Sequence, residues 1–529
     1  MSVEHQKWQE MLESMSTGGA TRGAGVSPLM LARVLDRVAL AGGPVSRSAI
    51  SKGSMLLRPE TLASGTVIKA VDALLGEGLL TEDGIQKSGQ PGPPITPLRL
   101  GDKWAIMGIH IDQQHEGPDG LAGVICGLDR KPLTGLVKGT VPRKGDRRDV
   151  RDLAEQIRKI AESLLAQLDS PRRFLGVGVE IGGHVHRGVL EDSVHAGWSH
   201  KVDLQRLLTE EIDEIEALAG VPAVAENDVN ALAIHGYYEQ SFRGLDVALV
   251  TVFRQGTGGA LIVNGRMYRG VGSMAPEPGH LAVEYPEDNP VWTAPPTREP
   301  GVARTFGDEC LCSATDHKAY GHVDTLAVPA RIEGQLASLK KNEKITLEEA
   351  ADAPLAVPSG ESLMFTDEAV VLRRAGRALG RALAHVINTV NPGQIVLRLP
   401  DALAKPAPQT SGTEYLDAVE REVNRAYSTG PEDARGGHLR LTVQSYTGDE
   451  QVFHEGAVAA ATTAFNAFIE HARGRDGCDP ADEAGGRPGA ARRAGRAEPA
   501  GRPRPPAHDQ DPADRDPQQA ASNKQRELP

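Results

Sequence analysis

Two kinds of hydrophobic pattern divide this chain. From Pro28 onward, apolar residues recur at Leu31, Val34, Leu35, Val38 and Leu40, close to the helical period, with Ser27 as cap and Pro28 in the first turn. Gly42 and Gly43 end that helix. "PVSRSAISKGSML" predicts a short second helix. "SGTVIKAVDALLGEGLL" predicts a third, capped by Ser64 and burying Val67, Ile68, Val71, Leu74 and Leu75. "LLTEDGIQKSGQPGPPITPLRL" then supplies two short extended pieces around a Gly/Pro-rich tip. Three helices and a hairpin over residues 26–100 predict a winged helix-turn-helix, whose third helix would bring Ser64, Thr66 and Lys69 to the major groove of DNA. A small helical dimerisation or packing domain fits the same pattern. Residues 1–25, which begin "MSVEHQKWQEMLESM", are polar and are expected to be a flexible N-terminus.

From Trp104 the period changes. "WAIMGIHID" and "GLAGVICGLD" read as paired strands, followed by the helix "DVRDLAEQIRKIAESLLAQL". "FLGVGVEIGG" is a buried strand ending in glycines, and "VPAVAENDVNALAIHGYYEQ" is a strand running into a helix. "VALVTVF" and "GGALIVNGRMYRG" form another pair, and "TDEAVVLRRAGRALGRALAHVINTVNPGQIVLRL" is a long helix delivering a strand. Strands and helices alternating twice over predict a two-lobed α/β body over residues 101–473 with a cleft between the lobes.

Composition narrows the class. A chain of 529 residues exceeds one core. A net charge of -13 gives no overall attraction to nucleic acid, so DNA contact must come from a local surface. That surface is not strongly basic: between Gly43 and Arg99 stand Arg47, Lys52, Arg58, Lys69, Lys87 and Arg99 against Glu60, Asp72, Glu77, Glu82 and Asp83. Four cysteines make no disulfide framework and point to a reducing cytoplasm. No apolar run reaches the roughly 18 residues of a membrane span, so no membrane association is expected. Residues 474–529 are nearly free of Leu, Ile, Val and aromatics and are expected to be a disordered tail.

Two motifs carry chemistry. Asn227 and Asp228 of "END", with Glu277 and His280 of "EPGH", fall at strand ends in the expected cleft. Carboxylates, an amide and an imidazole serve adjacent hydroxyls, and a buried Asp also accepts a hydroxyl proton. "END" alone would read equally well as the cap of the helix after it. The second motif, "ECLCSATDHKAYGH", gathers Cys310, Cys312, His317 and His322, donors suited to Zn²⁺.

Together "GVGVEIGG", "AENDVNALA", "GGALIVNGRMYRG", "EPGH", the Cys-x-Cys cluster and "VINTVNPGQIVL", behind a winged helix, resemble the ROK family, which groups repressors with sugar kinases. The resemblance runs from about Pro28 to Arg473 and implies a two-lobed, actin-like or hexokinase-like α/β fold. It implies a sugar bound by Asn227, Asp228, Glu277 and His280, with His195 in place of a sugar-contacting Asn. It further implies a zinc held by His280, Cys310, Cys312 and, where the family has a third cysteine, His317. Ser313 and Asp316 replace glycines of the family pattern CxCGxxGCxE, and Ala319 replaces its Glu. A Pro-rich insertion of about twenty residues also separates His280 from Cys310.

Family kinases wrap ATP in glycine loops. Here Asp112 is followed by "QQH" where Asp-x-Gly-Gly-Thr is expected, Arg254 and Gln255 interrupt the second loop, and "RLP" replaces the adenosine-side glycines. No ATP is therefore expected, although Asp228, the proton acceptor of a kinase, is kept. The expectation is a non-enzymatic regulator that responds to a sugar or sugar derivative. As a homodimer or homotetramer it would bind an inverted repeat in double-stranded DNA, with Gln90 at the wing tip. A sugar kinase with divergent ATP loops, or a regulator governed by a protein partner, are the alternatives.

Overall fold

The computed structural model describes residues 5–17, 25–53, 60–84, 96–112, 120–140, 150–192, 201–239, 242, 246–274, 276–283, 321–341, 343–359, 362–427 and 439–474. All of these lie in one compact unit spanning Met1–Asp476; Gly477–Pro529 form a second unit, which lies outside the described residues. So does the expected tail beyond Gly474.

The N-terminus corrects the sequence expectation. Residues Gln6–Thr17 form helix α1 rather than a flexible lead. Trp8, Leu12 and Met15, one helical stripe, are buried, and the Trp8 indole donates to the Leu175 carbonyl at 2.6 Å. Few apolar residues, spaced at i, i+4 and i+7, were enough to anchor a segment that looks polar overall.

Next come α2 (Pro28–Ala41), α3 (Arg47–Lys52) and α4 (Ser64–Glu77), then β1 (Leu80–Glu82) paired antiparallel with β2 (Leu98–Leu100). Ser27 caps α2 by accepting from Met30 N, and Gly42 closes it at φ 65°, a conformation suited to glycine. Two details of α4 differ from expectation. Its N-cap is Ala63, and Ser64 is the first helical residue, its hydroxyl 3.0 Å from that of Ser51. The buried stripe is Val67, Ala70, Val71 and Leu74, while Ile68, about 100° further round, is 49% exposed. Gln90 lies outside the described residues.

The head so formed does not keep a core of its own. Leu31, Leu35, Val67 and Leu74 join Trp8 of α1 and Phe465 and Phe468 of the last helix in one hydrophobic cluster. The boundary expected at residue 100 is therefore a change of pattern, not a break in packing.

The body supplies the remaining elements. These are β3 (Trp104–Ile111), β4 (Leu121–Gly127), β5 (Val137–Gly139), α5 (Val150–Leu165), β6 (Arg173–Ile181), β7 (His184–His186), β8 (Val189–Asp192) and β9 (Val202–Asp203). Then follow α6 (Leu204–Asp213), β10 (Ala223–Asn227), α7 (Asp228–Tyr238), β11 (Val247–Val252), β12 (Thr257–Val263) and β13 (Arg266–Tyr268). The last group is α8 (Pro329–Leu339), α9 (Leu347–Asp352), β14 (Ala356–Ser359), β15 (Ser362–Phe365), α10 (Asp367–Val390), β16 (Gln394–Pro400), α11 (Asp401–Ala404), α12 (Thr413–Tyr427), β17 (Arg440–Tyr446) and α13 (Gly448–Ala472).

Two five-stranded sheets result, in the orders β10-β6-β3-β4-β5 and β13-β12-β11-β16-β17. Helices α5 and α6 cover one face of the first sheet, and α8, α10 and α12 cover one face of the second. α13 and α7 lie between the sheets and pack against each other. The glycines of β3 and β6 make this possible. A Cβ on Gly108 would sit 1.9 Å from the Ala457 carbonyl, and one on Gly178 1.8 Å from that of Ala460, so the α13 backbone rests directly on the sheet. Among the described residues no helix is long and apolar enough to cross a membrane.

Candidate functional site

The carboxyl ends of β3, β6 and β10 meet the start of α7, and that junction holds the "END" motif. Asn227 caps α7: its Oδ1 accepts from Val229 N at 3.0 Å and Asn230 N at 3.1 Å. Its Nδ2 donates to the Gly183 carbonyl at 3.0 Å and to Asp228 Oδ1 at 2.9 Å. All four bonds of the amide are made within the chain. Asn227 therefore positions Asp228 in this structure, rather than presenting its own amide to a ligand as the sequence suggests. Asp228 Oδ1 also accepts from Val229 N at 2.8 Å. Burial nevertheless raises the Asp228 pKa, against the pull of that backbone bond. Glu226 is structural: it accepts from Asn230 Nδ2 at 3.0 Å and pairs with Arg269 at 2.7 Å.

The "EPGH" turn faces this junction. Glu277 Oε1 lies 2.9 Å from His184 Nε2, on β7, while Glu277 Oε2 is 3.9 Å from His280 Nε2. The other ring nitrogen of His280 is 3.9 Å from Asp324 Oδ2, and the His322 ring centroid stands 6.1 Å from that of His280. Gly279 permits this approach, because a Cβ there would fall 2.4–2.6 Å from the Asp324 carboxylate. Burial pushes the Asp324 carboxyl up to about 6, against the charge of His280. Asn227 and Asp228 on one side, with Glu277 and His280 on the other, are thus brought to one cleft.

Two residues the sequence reading did not single out sit deepest. His110 on β3 and Glu180 on β6 occupy matching positions in the parallel ladder. The His110 Nδ1 and Glu180 Oε1 atoms are hydrogen-bonded, and the residues are only 8% and 1% exposed. Gly456 of α13 backs the pair, since a Cβ there would meet His110 Nδ1 at 2.4 Å and Glu180 Oε1 at 2.6 Å. Neither His110 Nε2 nor Glu180 Oε2 has a hydrogen-bond partner among the described residues. Burial pushes the Glu180 carboxyl up to about 7, against the opposing charge of His110. On His110 burial opposes protonation, but the Glu180 carboxylate, with Asp112 and Asp228, outweighs it and raises the pKa. The signal was present: a His and a Glu interrupt two otherwise apolar strands at the same height.

The positions expected for nucleotide are filled differently. Phe253 N donates to the Gly256 carbonyl at 2.8 Å, closing a tight turn between β11 and β12, and Arg254 pairs with Glu333 at 3.1 Å. Arg398 of "RLP" is buried, pairs with Glu455 at 2.6 Å and lies over the Tyr446 ring at 4.5 Å. His195, Cys310, Cys312 and His317 lie outside the described residues. Among the described residues no group of three His, Cys, Asp or Glu is placed to hold a metal. Cys126 is buried in β4, apart from that chemistry, with its thiol pushed up to about 12 by burial.

Residues 140–400 match the model of the ROK family. The chain is 25% identical over 361 residues to the DNA-binding transcriptional dual regulator NagC of Escherichia coli K12, covering 67% of this chain and 76% of that protein. It is 27% identical over 244 residues to a glucokinase of Halalkalibacterium halodurans, covering 45% of this chain and 66% of the kinase. Its fold is similar to the crystal structure of a ROK family transcriptional regulator described as a homologue of the E. coli MLC protein, with a TM-score of 0.57 and 18% identity over 84% of this chain and 98% of that one.

Proposed function

We propose, from the match of residues 140–400 to the ROK family, that this chain is a DNA-binding transcription regulator whose cleft takes a sugar without phosphorylating it. The observation that carries the proposal is the route from cleft to head. Asp228 begins α7, and Tyr238, at the other end of the same helix, donates from its hydroxyl to buried Asp36 of α2 at 2.8 Å. α13 joins the same two places, with Gly456 behind the His110–Glu180 pair and Phe465 and Phe468 in the hydrophobic cluster that holds Leu31, Leu35, Val67 and Leu74 of the head. A ligand that shifts α7 or α13 thereby shifts the DNA-binding helices.

The regulator named NagC, matched across most of its length, supports the DNA half of the reading. Thr66 and Lys69, beside exposed Ile68 on α4, are the side chains offered to the groove; Ser64 is tied to Ser51 and is the weaker candidate. Gln90 would add little charge at a wing tip. A homodimer on an inverted repeat is the assembly this head would need.

Against phosphorylation stand the paired Arg254 and Arg398, where ATP phosphates and adenosine would need glycine backbone. A kinase reading draws on one observation, the half-buried Asp228 beside the cleft, and on the glucokinase match. Zinc at His280, Cys310, Cys312 and His317 is part of the proposal. The donor set is thiolate and imidazole in the number that tetrahedral Zn²⁺ takes, and it would anchor the "EPGH" turn that carries Glu277. Selection of random duplexes by the purified protein tests the DNA half: an enriched inverted repeat is expected, and a pool no richer than background would remove the regulator reading.

A further inference from the structure

The cleft floor suggests what kind of sugar fits, an inference that rests on the regulator reading above. Two polar atoms there, His110 Nε2 and Glu180 Oε2, lack partners among the described residues although both side chains are at least nine-tenths buried. Such atoms are costly to leave unpaired, and a buried pair of this kind is expected to have an occupant. Their other atoms face each other and are backed by Gly456 and by Phe453, whose ring stands edge-on to the His110 ring at 5.5 Å. α13 thus closes one side of the pair. The charges acting on the pair include those of Asp112 and Asp228, the latter at the start of α7 beside the cleft.

We propose that His110 and Glu180 form a subsite for a sugar hydroxyl, and that the effector is therefore a free, unphosphorylated sugar. The chemistry of the pair is that of a hydroxyl's complement. With a proton on each imidazole nitrogen, or with the Nδ1 proton passed to the Glu180 carboxyl, Nε2–H donates outward and Oε2 accepts. A hydroxyl takes both bonds at once.

A phosphate does not fit the same place. It brings acceptors and negative charge to a floor where Glu180, Asp112 and Asp228 stand against a single imidazole. A guanidinium does act on Glu180, that of Arg398, but it is already held by Glu455. Phosphate recognition calls for Arg, Lys or helix-end donors directed at the anion.

Calorimetric titration of the full-length protein tests this with glucose, xylose and N-acetylglucosamine, each hexose also as its 6-phosphate. At least one free sugar should bind, and its 6-phosphate should bind at least tenfold more weakly. Glu180→Gln, which keeps the shape and removes the charge, should weaken the free sugar by about 10- to 100-fold, as for a hydrogen bond to a charged group. If Glu180→Gln loses its cooperative melt, His110→Gln, which keeps a donor near the Nε2 position, serves instead and should retain more affinity than His110→Ala. Binding of the 6-phosphate as tightly as the free sugar, or unchanged binding in the Glu180 and His110 variants, would overturn the subsite and leave the regulator reading intact. If no sugar of either kind binds, the subsite and the sugar half of that reading fall together.

Discussion

Tyr238→Phe removes one oxygen from the joint between body and head. The hydroxyl donates to Asp36 Oδ1 at 2.8 Å and stands 3.4 Å from Asn466 Oδ1. Asp36 is fully buried, and its other oxygen accepts from Arg473. Loss of a hydrogen bond to a buried charged group costs about 1.5–3 kcal/mol, and because Arg473 still neutralises Asp36 we expect the lower end, about 1.5–2 kcal/mol. Urea unfolding at neutral pH reads this as a lower midpoint at unchanged slope. The double variant with Asp36→Asn should be less destabilised than the sum of the two single variants, since the two groups share one interaction. If α7 carries the ligand signal through this bond, the sugar-induced change in operator affinity should shrink in Tyr238→Phe, while affinity without sugar stays within about threefold. A variant as stable as the parent, or one with a full sugar response, would refute the role given to this contact.

Other outcomes follow from the same geometry. Trp8→Ala should destabilise the protein by about 3–5 kcal/mol, because it empties a site shared by α1, α13 and the end of β6; a loss under about 1 kcal/mol in the same urea assay would return residues 6–17 to the status of a loose lead. The raised pKa values of Glu180 (up to about 7) and His110 mean that the folded state holds protons the unfolded chain releases; their contribution is complete below the ordinary carboxyl range and is lost as pH rises through about 7. Urea midpoints between pH 5 and pH 8 should therefore fall less steeply in Glu180→Gln, and parallel profiles would contradict the assignment. With ATP, Mg²⁺ and a sugar panel, turnover should not exceed that of Asp228→Asn; phosphorylation dependent on Asp228 would establish the kinase alternative. Elemental analysis should find about one zinc per chain, lost on changing Cys310 and Cys312 to Ser, and a metal-free parent protein would dismiss the site.

Much of the fold was readable because its elements have clean periods. β4 is an unbroken apolar run, β3, β6 and β11 are apolar but for a few positions, His110 and Glu180 among them, and α2 carries a cap and a stop that chemistry dictates, Ser27 and Gly42. α1 escaped because three apolar residues among polar ones give a weak pattern until a partner surface is known. Ile68 was misplaced for a related reason: it borders the stripe, and only packing decides which edge is buried. In the site, motifs located Asp228, Glu277 and His280 but not the use of Asn227, whose amide serves the helix start and Asp228 at once. His110 and Glu180 were hidden by distance: 70 residues separate them in sequence, and only the strand register joins them. Asp112, which drew attention as the start of an ATP loop, acts on the site through its charge instead.

The central claim is that sugar in the cleft changes the grip of the head on DNA. Its most direct test is the affinity of full-length protein for a selected inverted-repeat fragment, measured by fluorescence anisotropy with and without a saturating free sugar, beside Asp228→Asn. The account predicts a shift of about fivefold or more in the parent protein and none in Asp228→Asn, with both binding the fragment equally well in the absence of sugar. Operator binding that no sugar alters, or a shift that survives Asp228→Asn unchanged, would contradict it.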